Sequence, residues 1–229
     1  MPYDATISFT FDTICPFTYL AKKRIDRALT LLVETPDDNP SGTTFTYQFN
    51  PFILNEDAPE VGEDKYQWYL KNKQHGDQEK MDKYMALMSA YGVGSGINFK
   101  HTGTIASTLD AHRVIQHFQE TKGADVANKL VMSLYRKYFE EEQHPSSEET
   151  LLAACLEAGV SAAEAREVVE DHSEGMAEVK GLIREQKGNG IDAVPNVTFE
   201  GKKRDVTLEG AKEVDEFLKA LKQICKEAA

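Results

Sequence analysis

The chain predicts an α/β fold in two halves, strand–helix–strand and strand–strand–helix, separated by a long stretch that is helical throughout. Three observations carry this. Apolar residues alternate near both ends, in Ile7-Ser8-Phe9-Thr10-Phe11, Phe45-Thr46-Tyr47-Gln48-Phe49 and Val197-Thr198-Phe199; they recur at helical spacing between about 64 and 188; and no segment repeats. A chain of 229 residues is long enough to bury a full-sized core.

Ile7, Phe9 and Phe11 predict the first strand, and Cys15 to Val33 a helix with Leu20, Ile25, Leu29 and Leu32 near helical spacing. Thr35 to Thr43 carries Pro36, Asp37, Asp38, Asn39, Pro40 and Gly42 and reads as a turn. Phe45, Tyr47 and Phe49 predict a second strand ending at Asn50-Pro51, which makes a right-handed βαβ unit with parallel strands. From about Asp64 to Gly188 no strand is expected. The stripes Met81-Tyr84-Met85-Met88, Ile105-Leu109-His112-Ile115, Val126-Leu130-Leu134-Tyr138 and Met176-Val179-Ile183 predict helices. Ser146-Ser147-Glu148-Glu149 and Ser161-Ala162-Ala163-Glu164 read as capping boxes opening two more.

After Gly188-Asn189-Gly190 the period returns to that of strands. Val197-Thr198-Phe199 and Asp205-Val206-Thr207-Leu208 flank Gly201-Lys202-Lys203-Arg204 and predict an antiparallel hairpin. A final helix is expected from Gly210, with Val214, Phe217, Leu218, Leu221 and Cys225 on one face. Residues 1–63 and 189–229 thus form one discontinuous domain, and 64–188 an inserted helical one.

A formal charge of -12 repels a phosphate backbone, so neither nucleic acid nor an anionic membrane is an expected partner. No window approaches the roughly 18 apolar residues of a membrane span, and Met1-Pro2-Tyr3-Asp4 lacks a signal-peptide pattern. A cytoplasmic protein is expected. Cys15, Cys155 and Cys225 are too few and too scattered for a disulfide framework or a zinc site. His112 and His117, five apart, do not share a helix face, so no metal site is expected; His112 reads as a satisfied core histidine.

The chemistry concentrates in Cys15-Pro16-Phe17-Thr18, where the first strand gives way to the first helix. A cysteine at a helix start meets unpaired backbone N–H groups and the positive end of the helix dipole, which favour its thiolate. Thr18, three residues on, is placed to donate a hydrogen bond to that sulfur and lower its pKa further. Cys155 lies with Leu151 and Leu152 on one helical face and Cys225 closes the stripe from Val214, so both are expected in the core. The site therefore has one thiol. A mixed disulfide at Cys15 needs an external thiol to release it, and glutathione is the abundant cytosolic one.

Asp12-Thr13-Ile14-Cys15-Pro16-Phe17-Thr18-Tyr19 resembles the active-site stretch of the DsbA-like thioredoxin family, above all its soluble frenolicin-pathway-type branch, where Asp-x-x-Cys-Pro-Trp-Cys-Tyr is usual. Asn50-Pro51-Phe52-Ile53-Leu54-Asn55, Asn98-Phe99 with Asp110-Ala111-His112-Arg113, Gly190-Ile191-Asp192-Ala193-Val194-Pro195 and Glu209-Gly210-Ala211-Lys212 are similar to further elements of that branch, in the same order. The resemblance implies a thioredoxin fold with a large all-helical insertion between its βαβ and ββα halves, and substrate bound between the two. It implies a cis peptide at Val194-Pro195, with Val194 offering its N–H and C=O to a peptide or to glutathione, and Asn55 facing the site. Phe17 and Tyr19 either line the cleft or pack. Gly210 and Ala211, as the start of the last helix, would present N–H groups to a carboxylate of glutathione, with Lys212 adding charge.

The departures narrow the expectation. Thr18 stands where the family has its second cysteine, Phe17 where it has Trp, and Lys212 where it has Gln. The leading expectation is a thiol–disulfide oxidoreductase working through Cys15 alone on a small thiol, disulfide or peptide, with no tightly bound cofactor and glutathione as co-substrate. The sequence leaves the oligomeric state open, with a homodimer, the commonest symmetric assembly, among the possible ones. Related kappa-class glutathione transferases and 2-hydroxychromene-2-carboxylate isomerases suggest an alternative, with a small electrophile as substrate. A redox-inactive binding module is the third reading, marked by a Cys15 of ordinary or raised pKa.

Overall fold

The computed structural model describes residues 3–229. β1 (Asp4–Phe11), α1 (Pro16–Glu34) and β2 (Thr44–Pro51) form the expected βαβ unit, with β1 and β2 parallel. The segment that follows holds β3 (Glu63–Asp64), α2 (Lys65–Asn72), α3 (Gln78–Ser95), β4 (Thr104–Ile105), α4 (Leu109–Lys122), α5 (Ala124–Phe139), α6 (Glu148–Ala158), α7 (Ala162–Glu170) and α8 (Met176–Gly188). β5 (Asn196–Glu200), β6 (Val206–Glu209) and α9 (Val214–Ala228) complete the chain. The main sheet runs β2-β1-β5-β6, with β5 antiparallel to β1 and β6 antiparallel to β5.

Alternation explains the core. Register places Ile7 between Tyr47 and Phe199, and Phe9 between Phe49 and Val197, so one face of the sheet is apolar across three strands. Phe9 is fully buried, and a side chain of that size contributes roughly 1.5–3 kcal/mol on leaving water. α9 covers this face through Phe217, whose ring lies 6.2 Å from that of Phe199. α1 joins it through Asp26, which accepts a 2.9 Å hydrogen bond from the Tyr47 hydroxyl.

The helical segment is fastened to β2, an edge strand whose free backbone groups need partners. Gln119 Oε1 accepts from Phe49 N–H at 2.8 Å, and the amides of Gln116 and Gln119 donate to Phe49 C=O at 2.9 and 3.1 Å. Arg113 ties the helices together. Its buried guanidinium donates to Val168 and Glu174 C=O and pairs with Asp110, which satisfies carbonyls that the end of α7 leaves open.

Four expectations are corrected. β3 and β4 pair as a two-residue antiparallel bridge inside the segment expected to lack strands, and Ile105 belongs to it rather than to a helix. Ser147, not Ser146, caps α6 through Thr150 N–H, while the Ser146 hydroxyl donates to Ser107 C=O. Ser161 does cap α7, but its hydroxyl donates to the Glu164 carboxylate, so that carboxylate accepts from Ser161 Oγ and not from the backbone N–H of a reciprocal box. The last helix begins at Val214, capped by Glu213 and Glu216, because Gly210 sits at φ +80° and ends β6 in a turn.

Candidate active site

Cys15 is the N-cap of α1, with extended backbone (φ -87°, ψ 115°) and Pro16 at the first helical position. Proline fits there because the N–H it lacks would have no helical partner. The Cys15 carbonyl accepts from Thr18 and Tyr19 N–H, which starts the helix. Its thiol is 3% exposed, packed against Phe52 and Val194, and donates to Val194 C=O across 3.7 Å. The Val194–Pro195 peptide bond is cis.

Burial decides the acidity of this thiol. Desolvation pushes it up to about 12, and the nearby Asp12 carboxylate adds to the rise. The backbone N–H groups of Thr18 and Phe17 pull the other way, and the Thr18 hydroxyl does so least. The expected thiolate at a helix start is therefore corrected: the N–H groups are present, but loss of water outweighs them. Thr18 acts in the expected direction, though more weakly than the backbone N–H groups. Its fully buried hydroxyl is directed to backbone, donating to Cys15 C=O at 2.7 Å and Asp12 C=O at 2.8 Å.

Asp12, which the sequence marks only as part of the matched stretch, ties the elements around Cys15 together. Its carboxylate accepts from Ile14 N–H at 3.3 Å and Leu54 N–H at 2.6 Å, tying the start of α1 to the end of β2. His112 Nε2 lies 3.5 Å from the same group, too far and too poorly aligned for a hydrogen bond, and both ring nitrogens lack partners. His112 is thus a core histidine, as expected, but not a satisfied one.

The N-terminus of α1 separates two cavities. Phe17 lines an open cleft of ≈ 360 Å³ together with Val194, Pro195, Gly210, Ala211 and, from α3, Tyr91. Pro16 lines a second, tighter cavity between α1 and the helical segment. Of the expected binding residues, Phe17, Val194, Pro195, Gly210 and Ala211 come together in the open cleft. Asn55 and Lys212 do not line it. Asn55 is buried in a turn, its carbonyl accepting from Ala58 N–H, and its side-chain amide nitrogen has no partner. Tyr19 packs rather than lines: it stacks on Tyr135 at 4.8 Å and donates to Glu140.

The expected carboxylate cradle at Gly210–Lys212 is corrected too. These residues form a loop before α9, where Gly210 N–H donates to Pro195 C=O and Lys212 N–H to Gly210 C=O. Arg24, which no local pattern marked, holds the loop against α1. Its guanidinium donates to Ala211 C=O at 2.7 Å and Lys212 C=O at 3.2 Å and pairs with Glu213 at 2.9 Å. The other two cysteines stand apart. All three are free thiols and none lines either cavity, but Cys155 on α6 and Cys225 on α9 are fully buried in the main core, whereas Cys15 adjoins Pro16 and packs on Val194, which do line them.

Comparison with solved structures supports the fold. A probable DsbA oxidoreductase from Streptomyces coelicolor matches at 22% identity with a TM-score of 0.80, over 97% of this chain and 91% of that one. A 2-hydroxychromene-2-carboxylate isomerase matches at 14% identity and 0.64, over 96% of both chains. The cytosolic disulfide reductase DsbM of Pseudomonas aeruginosa, also solved with glutathione, matches at 12% identity and 0.62, over 95% of this chain and 97% of that one. At these identities the likeness speaks for the fold. No curated protein sequence matches the chain significantly, and among the described residues no helix is long and apolar enough to cross a membrane. A profile of the DSBA-like thioredoxin domain matches residues 6–222, nearly the whole length, and the chain belongs to that family.

Proposed function

We propose that this protein is a glutathione-linked thiol–disulfide oxidoreductase that works through Cys15 alone in a reducing, cytosolic setting. The observation that carries the reading is the position of Cys15: at the N-cap of α1, against the C=O of Val194, a residue that lines an open cleft in which no other cysteine takes part. The substrate is a mixed disulfide of glutathione. Cys15 loses its proton to solvent and the thiolate attacks the glutathionyl sulfur; the S–S bond breaks, and the departing thiolate takes up a proton. Glutathione thiolate then attacks the Cys15–glutathione disulfide, which restores Cys15 and releases glutathione disulfide. The net change converts one mixed disulfide and one glutathione into a free thiol and glutathione disulfide.

Closed as it stands, the site holds this chemistry in reserve. A thiol with its pKa near 12 is ionised to roughly one part in 10⁵ at pH 7. Since burial is the largest raising influence and backbone N–H the largest lowering one, the thiolate forms when substrate displaces the cover of Phe52 and Val194. The same protonated thiol favours a second reading. A Cys15 that keeps its proton is a hydrogen-bond donor suited to hold the thiolate of bound glutathione for addition to an electrophile, as in a transferase or isomerase.

Intact-mass measurement after incubation with glutathione disulfide, alongside the pH dependence of Cys15 alkylation, separates these. Oxidoreductase chemistry predicts one glutathione adduct, at Cys15, removed by added glutathione. Saturable glutathione binding without an adduct supports the second reading. An inert Cys15 without affinity for glutathione would overturn both and leave the binding-module reading, whose mark, a raised Cys15 pKa, the closed site carries.

A further inference from the structure

Asp12 is fully buried, and among the described residues His112 is the one basic side chain within 4 Å of its carboxylate, with Nε2 3.5 Å from Oδ1. A carboxylate taken out of water ordinarily has a cationic partner. Oδ1 is also the less satisfied of its two oxygens: it holds only the 3.3 Å contact with Ile14 N–H, whereas Oδ2 holds Leu54 N–H at 2.6 Å. Around this pair the interior gathers buried polar atoms without partners, namely Thr13 Oγ1, Asn55 Nδ2, Thr108 Oγ1 and both ring nitrogens of His112. Thr13 follows Asp12, Asn55 follows the residue whose N–H Asp12 binds, and Thr108, one turn before His112, accepts its N–H at 3.0 Å. Proteins seldom leave buried polar groups unpaired, so such a gathering calls for a functional account.

His112 reaches this place from α4, its ring edge-on to that of Phe11 at 5.1 Å. The other elements around α4 bring no competing charge to it. α5 sets Tyr135 against Phe11, with a phenol that burial keeps protonated. α8 sets the neutral Gln186 against Thr10, and β2 presents the Phe49 backbone, taken up by Gln116 and Gln119. On α4 itself Asp110 and Arg113 pair with each other, and Arg113 is spent on the carbonyls of Val168 and Glu174. Asp12, in turn, is bound to the reacting residue: its C=O accepts from Cys15 N–H at 3.1 Å, and its carboxylate charge opposes a thiolate there.

We infer that His112 is a positioning residue for the chemistry at Cys15: by taking up a proton beside Asp12 it cancels the carboxylate charge that stands against the thiolate. The inference rests on the oxidoreductase reading for its use, but not for the coupling itself. With an imidazolium at His112 the buried pair is neutral, and the Cys15 thiolate is then the one uncompensated charge in this part of the interior. The coupling is mutual, so a thiolate at Cys15 favours the proton on His112 to the same extent. Through solvent, one proton leaves the sulfur and one joins the imidazole; no bond to His112 forms or breaks otherwise. The proton returns to solvent when Cys15 enters a disulfide and its charge is gone.

The test is the rate of Cys15 alkylation by iodoacetamide in the whole protein, read by peptide mass over about pH 5 to 9, a range that brackets the titration of histidine side chains. Alkylation follows the thiolate fraction, so a thiol of fixed, high pKa gives one straight line of log rate against pH. The wild-type protein is expected to give two parallel limbs, the acid limb lying about threefold above the extension of the alkaline one, half a pH unit of acidity. His112→Gln is expected to leave one line on the slower, alkaline limb. Asp12→Asn is expected to leave one line on the faster limb, a reversal of direction that loss of packing would not produce, and it carries the test should His112→Gln fail to fold. His117→Gln, on the same helix, is expected to keep both limbs. A single line in the wild-type protein, limbs that survive His112→Gln or Asp12→Asn, or limbs that vanish in His117→Gln would overturn the inference. The oxidoreductase reading fails separately: the expected limbs with no Cys15 adduct from glutathione disulfide keep the role of His112 and remove the reaction. A Cys15 that stays unreactive at every pH overturns both.

Discussion

Cys15 and Cys155 are both buried thiols pushed up to about 12, yet only one is placed to do chemistry. For Cys155, inside α6, burial is the whole cause. For Cys15 burial is opposed by the N–H groups of Thr18 and Phe17 at the open end of α1. Equal resting acidity therefore conceals different reserves. Admitting water returns Cys155 to an ordinary thiol, whereas at Cys15 it uncovers a helix terminus that favours the anion. What distinguishes a working thiol here is the set of polar groups that remain once the cover lifts.

The sharpest break of this contrast is substitution of each thiol in turn. Cys15→Ser is expected to abolish the glutathione adduct completely and Cys155→Ser to leave it unchanged, as read by intact mass; an adduct on Cys155 would show that burial does not protect it. Next in size is Thr18→Cys, which restores an internal resolving thiol. It is expected to shorten the lifetime of the Cys15–glutathione adduct by at least about tenfold, since expulsion becomes intramolecular, and a long-lived adduct in this variant would mean that position 18 cannot reach the sulfur.

The third prediction treats the two cysteines as equals. Both hold their protons to higher pH in the folded chain than in the unfolded one, where the ordinary value is 9.0. Their contribution is therefore intact below about pH 9 and lost as pH rises toward 12. Chemical denaturation across this window is expected to lose stability less steeply in Cys155→Ala, by about 1.4 kcal/mol per pH unit, the slope of one titrating group. An unchanged slope would show that Cys155 meets water in the native state. The smallest effect is expected from Asp12→Asn. Removing the charge that raises Cys15 should speed its alkylation at pH 8 a few-fold with no effect on Cys155; a slower reaction would place Asp12 in the opposite role, as an acceptor of the thiol proton.

The frame of the molecule was legible wherever a period of two or of 3.6 ran long enough to be read. Ile7-Phe9-Phe11 and Phe45-Tyr47-Phe49 announced β1 and β2, and the hairpin around Gly201 followed its turn. β3 and β4 are two residues each and leave no period to detect. The start of α9 was misplaced because its cap is Glu213 with Glu216, a pair that lacks the usual Ser or Thr. Within the site, Cys15, Phe17, Val194, Pro195, Gly210 and Ala211 were legible through motif and resemblance, and Thr18 as a residue though not in its bonding. Arg24 carries no local signal, since what matters is the loop carbonyls that tertiary packing brings to it. The acidity of Cys15 is not legible for a related reason: a sequence displays the helix terminus but not how much water it keeps.

The amides of Gln116 and Gln119 on β2 have a bearing beyond this chain's own fold. They cover the Phe49 rung at one margin of the main sheet, so a visiting strand finds no unsatisfied Phe49 groups to zip onto. The opposite margin, β6, offers only Val206–Glu209 before Gly210 turns the backbone away. Four residues are a poor template for cross-β stacking. The helical segment that is fastened to β2 thus also blocks strand addition at the Phe49 rung.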